Sequence, residues 1–349
     1  MKMTQTGPME SDTVPARTAP AGTDFAARAD PFRRELLAHC YRMLGSLHDA
    51  EDLVQETMLR AWRAHADFDE QRASLRTWLY RIATNACLTA LQRRSRRPLP
   101  SGLGPPSADP LAPPLPEPPG VRWLEPVPDH LVTGEAGDPA DIVVARESVR
   151  LALVAALQVL PPRQRAALIL CDVLSLTPAG AAEVLGVSVA ALKSLLQRAR
   201  ARLARQPLAD EDLAEPSGKE ARHVLDRYMA AFEQSDMAAL ERLLANDAAL
   251  EMTGTVTWYS GKATCVPYIS AFAIGSPGDW KMTRLHANGQ LGAAAYHRGD
   301  DGGYHPFAVI VLATTATHLK RISLFADPAL FTRFDLPAVL PPGGHPDEG

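Results

Sequence analysis

Asp49–Arg97 reads DAEDLVQETMLRAWRAHADFDEQRASLRTWLYRIATNACLTALQRRSRR, and its two halves differ in chemical character. In the first half apolar residues recur at Ala50, Leu53, Val54, Thr57, Met58, Ala61 and Trp62, the 3.6-residue period of an amphipathic helix. Asp49 is its expected N-cap, with Asp52 in the capping-box position. The opposite face carries Asp52, Gln55, Glu56, Leu59, Arg60 and Arg63, acidic early, basic late and interrupted by a leucine. A solvated face whose charges suit the helix dipole is one reading of that stripe. An exposed Leu59 points instead to a partner surface.

A second helix is expected from about Ser74, burying Leu75, Leu79, Ile82, Ala83, Ala86, Ala90 and Leu91. Its expected outer side combines Arg76, Thr77, Trp78, Tyr80, Arg81, Thr84 and Asn85, followed by Arg93, Arg94, Arg96 and Arg97. Unpaired bases stack on aromatic and guanidinium planes, and fixed positive charge holds the backbone, so this side suits opened nucleic acid. The alternative leaves Trp78 and Tyr80 half-buried and the arginines as a helix end running into a linker.

The block resembles the second conserved region of extracytoplasmic-function sigma factors. The resemblance implies that Asp52, Gln55, Glu56 and Leu59 grip the clamp of core RNA polymerase. It also implies that Arg76, Trp78, Tyr80, Arg81, Asn85, Arg93, Arg94, Arg96 and Arg97 bind promoter DNA and open its minus-ten element.

The 349 residues suffice for two or three domains, and an apolar content of 46% supports proper cores. A net charge of −4 gives no global pull toward nucleic acid, so positive charge must act locally. The basic residues are overwhelmingly arginine, which favours bidentate and stacking contacts. Cys40, Cys87, Cys171 and Cys265 are scattered without a CxxC pair, which argues for small core residues of a reduced cytoplasmic protein rather than a metal site or disulfide framework. No metal or cofactor is expected, and no apolar run has membrane-spanning length.

The expected domain order is a disordered tail over 1–26, a helical unit over 27–97, a linker over 98–140, a second helical unit over 141–207, an α+β domain over 219–337 and a flexible tail over 338–349. In the first unit a helix from Pro31 to Leu44 ends at Gly45. Pro98–Pro128 holds twelve of the chain's 30 prolines, which excludes helix and sheet and predicts an extended tether. Within it GVRWLEPVPDHL is too apolar for an idle spacer. Similar sigma factors thread an equivalent linker through the polymerase near the template strand; the alternative is a Trp123 that pins the linker to its own protein.

In the second unit one helix is expected to run from Asp141 to Leu160, burying Ile142, Val149, Leu153, Ala156 and Leu157, and the next starts at Pro161–Pro162. Thr177–Pro178, Gly186 and Ser188 then mark a short helix, a turn and a capped helix to about Arg205, the grammar of a helix-turn-helix. Lys193, Ser194, Gln197, Arg198 and Arg200 suit DNA contacts, and Ser188, Val189 and Ala190 would approach base edges. This unit resembles sigma region four, which reads the minus-thirty-five element. It departs from the family at Gly180, Ala181 and Leu195, which puts base readout in doubt.

After Glu220 two helices precede strand-like segments, LEMTGTVTWYSG, WKMTRLHANGQLGAAAYHR and YHPFAVIVLATTATHLKRISLFAD. This part, with the closing DPALFTRFDLP, resembles the SnoaL-like, nuclear-transport-factor-like cone. Candidate pocket residues are Met252, Trp258, Tyr259, Trp280, His286, Tyr304, His305 and Phe307, and no spacing among them dictates catalysis. The fold class expected is therefore multi-domain: two all-α helical domains plus a C-terminal α+β cone.

The resulting expectation is a non-enzymatic sigma factor with core polymerase and promoter DNA as partners, tuned by its cone domain. A small-molecule ligand or an anti-sigma protein are further candidate partners. The competing readings are a helix-turn-helix repressor with a ligand-binding domain and a SnoaL-like isomerase or cyclase with accessory helices.

Overall fold

The computed structural model describes residues 21–92, 96–133, 139–205 and 218–341. Arg93, Arg94, the expected tail over 1–20 and the last eight residues lie outside these.

The first unit comprises α1 (Ala21–Ala29), α2 (Arg33–Leu44), α3 (Leu47–Ala64) and α4 (Leu75–Leu91). The expected N-terminal tail therefore ends sooner: residues 21–26 are helical, and Phe25 is buried, stacked on His65 at 5.2 Å and edge-on to Trp78 at 6.2 Å. Gly45 takes the left-handed conformation that closes α2 (φ 68°), and its amide bonds the Tyr41 carbonyl at 2.7 Å. The chain thus restarts one residue later. Ser46, not Asp49, caps α3, its hydroxyl accepting from the Asp49 amide at 3.2 Å. Ser74 caps α4 in the same way.

The linker carries the short helix α5 (Asp129–Val132), and the second unit comprises α6 (Pro139–Glu147), α7 (Leu151–Gln158), α8 (Pro162–Leu168), α9 (Pro178–Leu185) and α10 (Val189–Leu203). The single helix expected from Asp141 is broken between α6 and α7. The Ser148 hydroxyl accepts an Arg42 hydrogen bond at 2.9 Å, and the Leu151 amide, which has no helical partner at the start of α7, donates to the Gln290 side chain at 3.0 Å. After α8 the chain widens into a π-turn over Ile169–Val173. Thr177 and Ser188 cap α9 and α10, whose axes meet at 95° across Gly186.

The C-terminal domain contains α11 (Lys219–Glu233), α12 (Met237–Leu243), β1 (Leu244–Met252), β2 (Trp258–Ser260), α13 (Lys262–Phe272), β3 (Trp280–Ala287), β4 (Gln290–Arg298), β5 (Tyr304–Thr314), β6 (Leu319–Phe325) and α14 (Ala329–Arg333). Its six strands run β2-β1-β6-β5-β4-β3, antiparallel except for β1 beside β6. Residue alternation gives the curved sheet two apolar faces. Met282, Ala293, Ala295, Ile310 and Ile322 face α11–α13, whereas Ala294, Tyr296, Val309, Val311 and Phe325 face α14. Of the expected tail over 338–349, the described part is not free: Leu340 is buried and exchanges two 2.9 Å backbone bonds with Tyr304.

The helical units share one core, with α4 against α8 and α9 and α2 against α7 and α8. Arg165 of α8 is buried and bonds the Met43 carbonyl at the end of α2, together with the Gln158 and Leu160 carbonyls at 3.0 and 3.1 Å. Burial pulls its guanidinium pKa down to about 10. The proline-rich segment is no free tether either. Leu124 and Val127 are wholly buried, and a Cβ placed on Gly45 would stand 2.7 Å from Leu124, so linker and helix turn touch without room for a side chain.

Candidate functional site

On α3 the expected face is present: Asp52, Gln55 and Leu59 are exposed, and Glu56 is half-buried beside Arg60 at 2.5 Å. Leu59 is 46% exposed, and Trp62, expected in the core, is 50% exposed one turn later. Together they make an apolar spot on a charged helix.

The expected DNA side of α4 splits in two. Tyr80 is fully buried, and Thr84 one turn on is buried with it, because both face His39 of α2: His39 Nε2 lies 3.0 Å from the Thr84 hydroxyl, and its ring is edge-on to Tyr80 at 5.2 Å. Arg76 belongs to the same inward stripe. It pairs with Glu35 at 2.8 Å and lies 5.1 Å over the Tyr80 ring. Burial also raises the Tyr80 phenol pKa and pulls the His39 imidazole down to about 3. Arg81 and Asn85 are exposed as expected, and Trp78 is half-buried, stacked on Phe68 at 4.8 Å. Of the expected set, α4 therefore leaves Arg81, Asn85 and the rim of Trp78 open to solvent.

Arg97 corrects the expected arginine tail. It is 7% exposed and makes two 2.8 Å ion pairs, to Asp49 of α3 and Glu125 of the linker, besides a 2.9 Å bond to the Trp123 carbonyl. Glu125 in turn accepts from the Ser46 hydroxyl (2.8 Å) and the Leu47 amide (3.1 Å) at the start of α3. Arg97 is thus a clasp between linker and α3, buried away from the surface where a phosphate would lie. Arg96 is exposed, with one 3.2 Å bond to the Gly102 carbonyl.

On α10, Ser188, Val189, Ala190, Lys193, Ser194, Gln197, Arg198 and Arg200 are all exposed, while Leu192, Leu196 and Ala199 are buried. Residues 190, 193, 194 and 197 follow helical spacing, so one open face presents the polar set. Arg200 is held by Asp172 in a fork at 2.6 and 3.0 Å. Its pKa is raised by that pairing.

Sequence reading missed the residue that ties these surfaces together. The β3–β4 hairpin turns on Asn288–Gly289, both with positive φ (57° and 65°), and its tip enters the helical core. Asn288 is fully buried; its amide nitrogen donates to the Tyr41 hydroxyl (2.7 Å) and the Val149 carbonyl (2.8 Å), and its side-chain oxygen accepts from Val127 (3.0 Å). One side chain therefore bonds α2, the linker and the α6–α7 break. Gly289 donates to Asp129 at 2.7 Å, and a Cβ there would lie 2.4 Å from the Arg146 carbonyl oxygen. The Asn-Gly pair was the available signal, since it marks a tight hairpin. Farther along the contact, Arg333 of α14 pairs with Glu51 on α3 and lies 3.3 Å from His48.

The cone encloses a cavity of about 440 Å³. Tyr259 and Trp280 line it, with Met252 and Phe307; four other expected residues do not. Trp258 alternates to the other side of β2, where its indole donates to the Gly104 carbonyl at 2.9 Å. Tyr304 donates to the Gly278 carbonyl at 2.8 Å, His305 lies 3.0 Å from Asp301, and exposed His286 lies beyond the cavity at the hairpin end of β3. Among the described residues the lining holds no carboxylate and a single histidine, His297, edge-on to Trp280 at 4.8 Å.

Two family models match: Sigma-70 region 2 over residues 29–97 and Sigma-70 region 4 over residues 150–203. The chain is 52% identical over 319 residues to the extracytoplasmic-function RNA polymerase sigma factor SigG of Mycobacterium tuberculosis, covering 91% of this chain and 85% of that one. It is 33% identical to SigJ of the same organism, over 87% and 92% of the two chains. The crystal structure of SigJ superposes with a TM-score of 0.59 at 26% identity, covering 89% of this chain and all of that one. The two helical units, their shared domain order and a relative of this identity along nearly the whole length lead to one assignment: the chain belongs to the extracytoplasmic-function sigma factors of RNA polymerase.

Proposed function

We propose that this sigma factor docks on the clamp of core polymerase through Asp52, Gln55, Glu56 and Leu59 of α3, with Trp62 added to that surface. The α4 face around Trp78, Arg81 and Asn85 engages opened minus-ten DNA, Arg96 supplies backbone charge, and the α10 face around Lys193, Gln197 and Arg198 contacts the upstream duplex. The C-terminal domain restrains this activity by holding the two helical units against each other.

The observation that carries the restraint is the Asn288 side chain, buried where α2, the linker and the α6–α7 break meet. A state in which both units share a core and a hairpin tip cannot also spread them along a promoter, so the docked state competes with productive binding. The test is run-off transcription with core polymerase, using the full chain, a chain ending at 208, and the full chain with Gly289→Val. Faster initiation by both altered proteins supports restraint. Initiation slower than that of the full chain in both would make the domain an activator and end this reading, while no initiation by any form would remove the sigma function itself.

A further inference from the structure

The cone cavity has a wall that the domain does not supply. Pro114, from the proline-rich linker, lines it together with Tyr228, Tyr259, Trp280, Met282 and Phe307. The linker is fastened across this side of the domain by hydrogen bonds of its main chain to both backbone and side-chain groups. Ser107 donates to the Trp258 carbonyl (2.8 Å), Leu115 to the Thr257 hydroxyl (2.7 Å), and the Leu115 carbonyl accepts from Val256 (3.1 Å), with Pro116 bridged to Thr255. The rim is apolar and open: Phe272 and Phe307 are exposed at 56% and 39%. The lining is mostly apolar, with Thr255, Thr257 and His297 among its few polar groups, and the Tyr259 hydroxyl is buried with no hydrogen-bond partner. A concave apolar space of this size with a few polar groups is the common form of a small-molecule site.

We infer that this cavity binds a mostly apolar small molecule carrying one hydrogen-bonding group, and that its occupancy fastens the linker segment 104–116 onto the cone. This deepens the restraint proposed above and rests on it only for its consequence in transcription. The physical reason is linkage. A ligand that touches Pro114 gains contacts only while the strap is seated, so binding and strap closure must favour each other by the same factor. The strap leads directly to Trp123 and Glu125, which hold Arg97 and the start of α3, so its path is joined to the first helical unit.

The experiment uses the purified full chain without polymerase, so its outcome is independent of the transcription assays. The probe is N-phenyl-1-naphthylamine, a neutral fluorophore that brightens in apolar surroundings. Expected are saturable one-to-one binding, at least tenfold weaker binding by Ala295→Phe, and at least fivefold slower hydrogen exchange at Leu115 and Val256 when the probe is bound. Ile310→Phe is the second filled variant should Ala295→Phe not fold. Equal binding by a folded, filled variant would overturn the site. Binding without slower exchange at Leu115 and Val256 would overturn the coupling.

Discussion

At the scale of single residues, burial decides which expected contacts survive. Arg97 and Arg96 are neighbours of identical chemistry, yet one is a clasp and the other is open to solvent. Arg97→Ala would remove the 2.8 Å ion pair from buried Asp49. It should cost about 3 kcal/mol, the scale for breaking a buried pair, read from the urea midpoint. Its salt slope of promoter binding should be that of the unaltered protein, whereas Arg96→Ala should lower the slope by about 0.7–0.9, one phosphate contact. A lower slope in a folded Arg97→Ala protein would return Arg97 to the DNA face.

His39 gives a pH prediction of definite sign. Burial holds its folded pKa at about 3, below the ordinary imidazole value of 6.5, so the native state keeps it neutral while the unfolded chain takes up a proton. Stability should fall as pH drops below 6.5 toward 3, by up to roughly 1.4 kcal/mol per pH unit from this group. Urea titrations of the unaltered protein and His39→Gln across that window should differ in slope. Parallel curves would rule His39 out as the source.

At the scale of elements, α3 works on two fronts. Its start is locked by Ser46, Glu125 and Arg97, and its outer face leaves Leu59 and Trp62 in solvent. Replacing both with serine should weaken binding to core polymerase at least tenfold, since a cluster of exposed apolar anchors is where interface energy concentrates. The urea midpoint should hardly move, because exposed substitutions cost little. Unchanged affinity would place the docking surface elsewhere. Periodicity alone put Trp62 with the core, since it follows Met58 at helical spacing; only the neighbouring elements show that nothing covers it.

The same limit applies to α4. Its amphipathic spacing and Ser74 cap were legible, but Tyr80 and Thr84 looked outward until α2 placed His39 against them. Likewise α13 lacked a clear signature, because Pro267 interrupts it and its apolar residues are spread round the helix. The helix-turn-helix was legible throughout, since its signals are caps and turns that act within a few residues.

At the scale of the whole molecule, two helical units expected to be joined by an extended tether form one closed body with the C-terminal domain, the Asn288–Gly289 tip in its centre. Asn288→Ala would leave the Val127 amide and Val149 carbonyl without that partner, at about 1–3 kcal/mol for each group left buried. Gly289→Val adds a side chain where the Arg146 backbone already stands. Small-angle scattering of the full chain carrying Gly289→Val should show a larger radius of gyration than the unaltered protein. An identical radius would mean that the hairpin is not what holds the units together.

The sequence by itself determined most of the helices, the Ser74, Thr177 and Ser188 caps, the Gly45 and Gly186 turns, the two sigma-like units and their order, and the family, because these follow from periodicity and from backbone needs satisfied locally. Tertiary structure decided which charges are contacts and which are clasps, which aromatics remain available, and the course of the proline-rich segment. Those depend on partners far along the chain, 28 residues away for Arg97 and Glu125 and 247 for Tyr41 and Asn288. Burial, which sets the strength of an ion pair or the pKa of a histidine, is a property of the assembled chain and not of any stretch within it.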